Sequence, residues 1–171
     1  MRDRSSSVKA EAVSGQPHQG LNVLLDAWSV DRAIGDLLTR AISPSGLTAD
    51  EFAVYSLLAR QGPLTPSQLA EQMAAPPTTV SSYVTRFEAR GHITRERNPR
   101  DGRSYRISLT SEGRRSHRRA AELFRPARQA VEEALGAAEP GVRQALAQLR
   151  EAVDVVRAGT ASEPGTPEAL T

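Results

Sequence analysis

The side chains best placed for binding chemistry are arginines in one short stretch, residues 91 to 110. They are Arg95, Arg97, Arg100, Arg103 and Arg106. Two runs of alternating apolar and polar residues flank the turn-forming residues 98 to 102, a pattern typical of a β-hairpin. Guanidinium groups bind phosphate oxygens through paired hydrogen bonds. The stretch therefore predicts a hairpin whose tip, with Arg100 and Arg103, presents positive charge to a polyanion.

The charge of the whole chain is distributed unevenly along the sequence. The net charge is +2, but residues 86 to 119 hold eleven arginines against four acidic residues and carry +7, which leaves −5 for the rest. A basic segment beside an acidic remainder is typical of proteins that bind a polyanion. A solvated surface helix is the other interpretation, and the charge alone does not separate the two.

Other kinds of site lack support in the sequence. The chain has no cysteine, which excludes disulfides and thiolate metal sites. His18, His92 and His117 lack the spacing of metal ligands and are predicted to be ordinary surface or packed residues. The acidic pairs at 50–51 and 132–133 are predicted to be solvated, since adjacent helical residues point apart. With no glycine-rich phosphate loop or nucleophile elbow either, we expect no enzyme, no metal and no cofactor.

Four helices are predicted before the hairpin and would position it. The spacing of apolar residues predicts a first helix over residues 21 to 42, whose heptad-like seam seeks another helix. A second helix is predicted from the cap Thr48, with Glu51 completing a capping box, to residue 62. A third is predicted to start at Thr65 and end near Met73. After a short turn, residues 77 to 90 form the fourth, with an inward apolar stripe.

Two further helices are predicted after the hairpin. Thr110 caps the first of them, and Pro126 is expected to kink or break it. The last spans residues 140 to 157 and is apolar along one side. We interpret the apolar terminal helices as a dimer interface; an intramolecular helical cap is the alternative.

Together these elements predict a mostly α fold with a small β-hairpin wing, a winged helix-turn-helix with N- and C-terminal dimerisation helices. We expect residues 21–157 to form a single domain, with a DNA-binding lobe over about 47–110 and dimerisation helices over 21–42 and 111–157. The polar tails, 1–20 and 158–171, are predicted to be disordered. Without a secretory signal or an apolar stretch long enough to span a membrane, we expect no membrane association and a cytoplasmic protein.

Three segments carry a resemblance to a known family. They are Leu64 to Ala70, Thr79 to Gly91, and Asp101-Gly102-Arg103 followed by Ser108-Leu109-Thr110. In these segments residues 21 to 157 resemble the MarR family of bacterial transcriptional regulators. The Asp-x-Arg wing followed by Leu-Thr is the most specific feature. Gly102 departs from the pattern, because many relatives carry a charged residue there, and predicts a more flexible tip.

The resemblance implies a homodimer bound to a near-palindromic operator in double-stranded DNA. Recognition helices would enter successive major grooves and wings the adjacent minor grooves. Hydroxyls can bond bases or phosphates, and a narrow minor groove attracts arginine. The predicted DNA-binding residues are Thr78, Thr79, Ser81, Ser82, Thr85, Arg86, Arg100, Asp101, Arg103 and Arg106. For each hydroxyl a solvated surface is the alternative, and Asp101 is expected to hold the turn or orient Arg103.

The function predicted from these features is a sequence-specific, ligand-responsive DNA-binding regulator, most simply a repressor. The alternative is a dimeric small-molecule-binding or protein-interaction module whose winged helix no longer reads DNA. The resemblance also implies a small aromatic or lipophilic effector. Its candidate contacts are Trp28, Asp31, Arg32 and Tyr55, for which core or surface packing is the alternative.

Overall fold

The computed structural model describes residues 22–99 and 101–160. Its elements are α1 (Val23–Ile42), α2 (Ala49–Gln61), α3 (Pro66–Met73), α4 (Pro77–Ala89), β1 (Ile93–Arg97), β2 (Tyr105–Leu109), α5 (Ser111–Leu135) and α6 (Glu139–Thr160). This order confirms the predicted mostly α fold with a single hairpin between helices. Arg100 and the greater part of both predicted tails lie outside the described residues.

Side chains at the helix starts explain where the helices begin. The Thr48 hydroxyl accepts from the Glu51 amide, and the Glu51 carboxylate accepts from the Thr48 amide. Thr65 and Gln68 form the same reciprocal pair at α3. The Thr110 hydroxyl accepts from the Gly113 amide at the start of α5. These bonds satisfy amides that have no partner within the helix, and they confirm the three predicted starts.

The hairpin is joined to the helices at its base. β1 and β2 pair antiparallel with Ile93 opposite Leu109 and Arg97 opposite Tyr105. Leu64, just before α3, adds two backbone hydrogen bonds to Ile107, of 3.1 and 2.8 Å. Ile93, Ile107 and Leu109 are buried. The base of the wing is therefore part of the core, while most residues of its tip are exposed.

One hydrophobic core holds the winged helix together. Among the described residues its buried members all lie between Ile42 and Ala120, with Tyr55, Leu69, Phe87 and Ile107 at 1% exposure or less. Leu57 of α2 is only partly buried and packs against this core. In contrast, α1 buries only Ile42 and α6 buries none of its residues. The apolar sides of the terminal helices thus remain uncovered.

Two boundaries differ from the predictions. Pro126 was predicted to kink or break the helix; α5 continues through it, so the helix is not broken there. Proline removes a single backbone donor, and the surrounding helical hydrogen bonds continue on both sides. α6 extends to Thr160, three residues into the segment predicted to be a disordered tail.

The described chain divides into two compact units, residues 22–129 and residues 130–160. The first unit contains the winged helix and α1. The second contains the C-terminal end of α5 together with the whole of α6. Within the described residues, no helix combines the length and the apolar character needed to cross a membrane.

Gly113 makes the close approach of α5 to the wing possible. A Cβ atom there would lie 2.0 Å from the His92 carbonyl oxygen and 3.1 Å from Leu109 Cδ2. We expect Gly113→Ala to destabilise the fold by about 1–3 kcal/mol, because a backbone atom must move to admit the methyl group. Urea unfolding at fixed protein concentration measures this. Gly141→Ala is the control, since its Cβ would meet nothing within 4 Å; equal stability of the two variants would refute the packing argument.

Candidate nucleic-acid interface

α4 has a buried side and an exposed side. Val80, Tyr83, Val84 and Phe87 point into the core at helical spacing, as predicted. The hydroxyl side chains on the other side are exposed at Thr78, Ser81, Ser82 and Thr85, and partly buried at Thr79. α3 packs against α4 across a turn in which Ala74 has a left-handed backbone (φ 50°). The pair forms a helix-turn-helix that presents the hydroxyl side outward.

The hydroxyls are not equivalent as hydrogen-bond donors. Thr85 Oγ1 donates to the Ser81 carbonyl oxygen at 3.0 Å, within its own helix. That bond uses the only hydroxyl hydrogen of Thr85, so the group can only accept from an outside partner. Ser81 and Ser82, one turn before, are better placed to donate.

The tip of the wing is held by a compact set of hydrogen bonds. The Asp101 carboxylate accepts from the Arg103 amide at 3.0 Å, and the Asp101 carbonyl accepts from the Ser104 amide at 3.0 Å. Asn98 Nδ2 donates to Ser104 Oγ at 2.7 Å. Asp101 therefore bonds to the backbone of the turn, which agrees with the turn-holding role predicted for it.

The wing arginines differ in their surroundings. Arg95 pairs with Glu88 of α4 and lies 4.8 Å from the centre of the Tyr105 ring, so it joins the wing to α4. Arg106 is partly buried opposite Glu96. Arg103 is exposed, and within residues 22–99 and 101–160 its guanidinium forms no ion pair. Of these three, Arg103 is the most available to an anion.

The end of the Arg97 side chain lies close to Gly102 at the tip. A Cβ atom on Gly102 would be 2.8 Å from Nη2 of Arg97. Because the end of an arginine side chain can shift, this contact alone does not require a glycine there. Whether the tip is more flexible stays a prediction.

Glu51 corrects one of the predictions, and it lies close to Arg86, whose contact with DNA stays a prediction. Predicted to be solvated, it is 1% exposed, and its Oε1 atom lies 3.1 Å from Nη1 of Arg90 and 3.6 Å from Nη1 of Arg86. Arg86, predicted as a DNA reader, is thus held toward α2, with its guanidinium 5.0 Å from the centre of the Tyr83 ring. The i, i+4 spacing of the two arginines was the available signal. Nothing local, however, identified Glu51 as their partner.

Tyr55 is a core residue, and the structure does not support its prediction as an effector contact. It is fully buried, its ring packs edge-on against Phe87, and its hydroxyl lies 2.7 Å from Nδ1 of His92. Burial raises the pKa of Tyr55 to about 12. His117 is packed too, stacked on Phe52 and 3.1 Å from the Ser56 hydroxyl. Burial lowers the pKa of His117, which favours its neutral form.

The remaining effector candidates lie on α1. Asp31 and Arg32 line an open cleft of about 380 Å³ between α1 and the start of α2, with Asp50 on the other side. Trp28 is 62% exposed and is not among the lining residues. The structure therefore brings together two of the four predicted contacts.

The fold and this surface define the class: a winged helix-turn-helix protein. Residues 45–104 match the model of the MarR family. The chain is 30% identical over 90 residues to the HTH-type transcriptional repressor Rv2887 of Mycobacterium tuberculosis, a match that covers 53% of this chain and 65% of that protein. This chain thus spans somewhat less than two-thirds of the length of that relative.

Two solved structures extend the similarity over a larger part of the chain. The M. tuberculosis regulator MosR in complex with DNA has a TM-score of 0.68 and 27% identity, covering 80% of this chain and 98% of that one. PcaV of Streptomyces coelicolor, in complex with its natural ligand, has a TM-score of 0.66 and 25% identity, covering 84% and 99%. This chain is therefore similar to the MarR family, most directly over residues 45–104.

Proposed function

We propose that this chain is a sequence-specific DNA-binding transcriptional regulator. The observation that carries the proposal is the combination of an exposed hydroxyl side on α4 with an exposed, unneutralised Arg103 at a wing joined to the same helix through Arg95 and Glu88. Serine and threonine suit the major groove, and a protruding arginine suits a narrow minor groove. Such a regulator would act in the cytoplasm, where bacterial DNA is.

Repression and ligand response are the finer parts of the proposal. Rv2887 is named as a repressor, and PcaV was solved with a ligand. By analogy, we propose that a small aromatic or lipophilic effector relieves repression. Its site would be the cleft that contains Asp31 and Arg32, with Trp28 on the same helix adding aromatic surface. Tyr55 is not included in this site, because its ring is buried in the core and does not line the cleft.

A homodimer is the third part of the proposal. α1 exposes Val23, Leu24, Trp28, Val30 and Ile34, each more than half exposed, and α6 exposes Leu146, Val155 and Val156. Contiguous apolar surfaces of this kind mark protein interfaces. A second copy of the chain would cover them and present two recognition helices to a near-palindromic site.

The wing and α4 are expected to contribute differently to binding. Arg103→Ala should weaken operator binding by about 1–3 kcal/mol, and the loss should be larger at A/T-rich flanks, where the minor groove is narrow. Ser82→Ala should instead change preference at defined major-groove base pairs. The measurement is fluorescence anisotropy on variants of an operator selected from the chain's upstream intergenic DNA, at one salt concentration.

Asp101→Ala is the matched variant for the tip. It removes the bond that holds the Arg103 amide but keeps the guanidinium, so its loss should be a milder form of the Arg103→Ala loss. If Arg103→Ala binds every operator variant as tightly as the unmodified chain, the wing does not contact DNA. If neither the unmodified chain nor any of these variants binds an operator, the alternative function becomes the better interpretation. That alternative is a dimeric module whose winged helix no longer reads DNA.

A further inference from the structure

Side chains on one side of α2 contact the C-terminal end of α4 and the residue that precedes β1. Glu51 lies close to Arg86 and Arg90 through a single carboxylate oxygen, and its other oxygen accepts from the Thr48 amide. One turn later on α2, the hydroxyl of Tyr55 meets His92, directly before β1. Gly91 has φ 69°, so the chain reverses direction between these two contacts. α2 therefore fixes the junction at which the recognition helix gives way to the wing.

The two arginines share Glu51 unequally. Arg90 is closer to Oε1, at 3.1 Å against 3.6 Å for Arg86, and its contact with Glu51 raises the pKa of Arg90. Oε1 is buried, yet it receives no hydrogen bond of good geometry within the described residues. A buried carboxylate needs a counter-charge, since burial without one costs several kcal/mol. Arg90 supplies the stronger contact, and Arg86 supplies a weaker one.

Of the two arginines, Arg86 has the more exposed side chain. Its side chain is 49% exposed, against 40% for Arg90, and it rests on the face of Tyr83. Without Glu51, two like charges one turn apart would repel each other. The Arg86 guanidinium would then turn toward solvent, where any phosphate of any sequence can bind it.

We propose that Glu51 is a positioning residue for DNA recognition, which withholds Arg86 from sequence-independent phosphate contact and holds the α4–wing junction through Arg90. The inference rests on the proposed function and deepens it. A buried carboxylate thereby raises specificity: it limits the electrostatic attraction common to all DNA and favours the geometry that base contacts require. Specificity is a difference between two affinities, so it increases when the non-specific one is suppressed.

The test compares operator DNA with a scrambled duplex of the same length. Glu51→Gln keeps the size of the side chain and removes its charge. We expect operator affinity to fall by roughly tenfold, while affinity for the scrambled duplex is retained or rises. The magnitude of the log–log salt slope on scrambled DNA should increase by about 1, the signature of one added phosphate contact.

Two further variants separate positioning from charge and from folding. Glu112→Gln removes one acidic charge from an exposed pair with Arg115 and is the control for net charge; we expect it to keep the ratio of operator to scrambled affinity. Adding Arg86→Ala to Glu51→Gln should abolish the increase in salt slope. Thermal unfolding of each variant accompanies the binding curves.

The proposal is overturned if Glu51→Gln lowers both affinities in proportion, which a purely structural role would produce. If Glu51→Gln does not fold, the variant Arg86→Ala tests the proposal by itself. The proposal requires that Arg86→Ala leave the salt slope on scrambled DNA unchanged. A decrease of about 1 in the magnitude of that slope would show that Arg86 already binds phosphate and would overturn the proposal. Failure of the unmodified chain to prefer any operator would be a failure of the proposed function instead.

Discussion

Replacing Ile34 and Leu146 with aspartate is expected to convert the chain from a dimer to a monomer and to abolish operator binding at micromolar concentration. Ile34 is 52% exposed on α1, and Leu146 is 53% exposed on α6. Neither contributes to the core between Ile42 and Ala120. If a second copy covers them, a charge at each site would be buried without a partner, which costs several kcal/mol.

Sedimentation measures the dimer, and anisotropy measures operator binding. Ala53→Asp, an exposed position on the winged-helix lobe, is the control for an added charge on a helix surface. It should sediment with the unmodified chain. Because the substituted residues are exposed, the double variant should keep its helical circular dichroism. A stable monomer of the unmodified chain at micromolar concentration would contradict the dimer proposal.

DNA affinity is expected to fall by about 10³-fold or more between 50 and 200 mM salt, given on the order of six phosphate contacts across a dimer. Each phosphate neutralised by an arginine releases condensed counterions, so the logarithm of the affinity falls linearly with the logarithm of the salt concentration. We expect these contacts to come from the arginines between residues 86 and 119, a segment of charge +7, that remain exposed and unpaired, such as Arg103. Binding titrations at five or six salt concentrations give the slope.

Two companion measurements make this expectation specific to the proposed surface. Arg103→Ala should reduce the magnitude of the slope by about 1 for each wing that meets a phosphate. Footprinting should show two half-sites whose centres lie about 10 base pairs apart. A log–log salt slope near zero would rule out binding dominated by contacts with DNA phosphates. Protection of a single half-site would rule out the two-fold geometry.

Much of the fold followed from patterns that span a few residues. The starts of α2, α3 and α5 could be predicted because Thr48, Thr65 and Thr110 cap amides within the next turn. The hairpin could be predicted because alternation and turn residues act over about twenty positions. The inward stripe of α4 followed from the helical period alone. In these cases the physical cause is local, so the sequence contains it directly.

Tertiary packing decided which of the polar residues are available for binding. Glu51 was predicted to be solvated beside Asp50, yet it is buried and paired with Arg86 and Arg90 at the C-terminal end of α4, which lie 35 and 39 residues further along the chain. The sequence does not distinguish Arg95 from the other wing arginines, but Glu88 neutralises it in the fold; Tyr55, a candidate effector contact by sequence, lies in the core. Ion pairs and core positions between distant residues leave no periodic trace in a single sequence. The sequence therefore determined the elements and the excess of positive charge, and the fold determined which charges remain exposed.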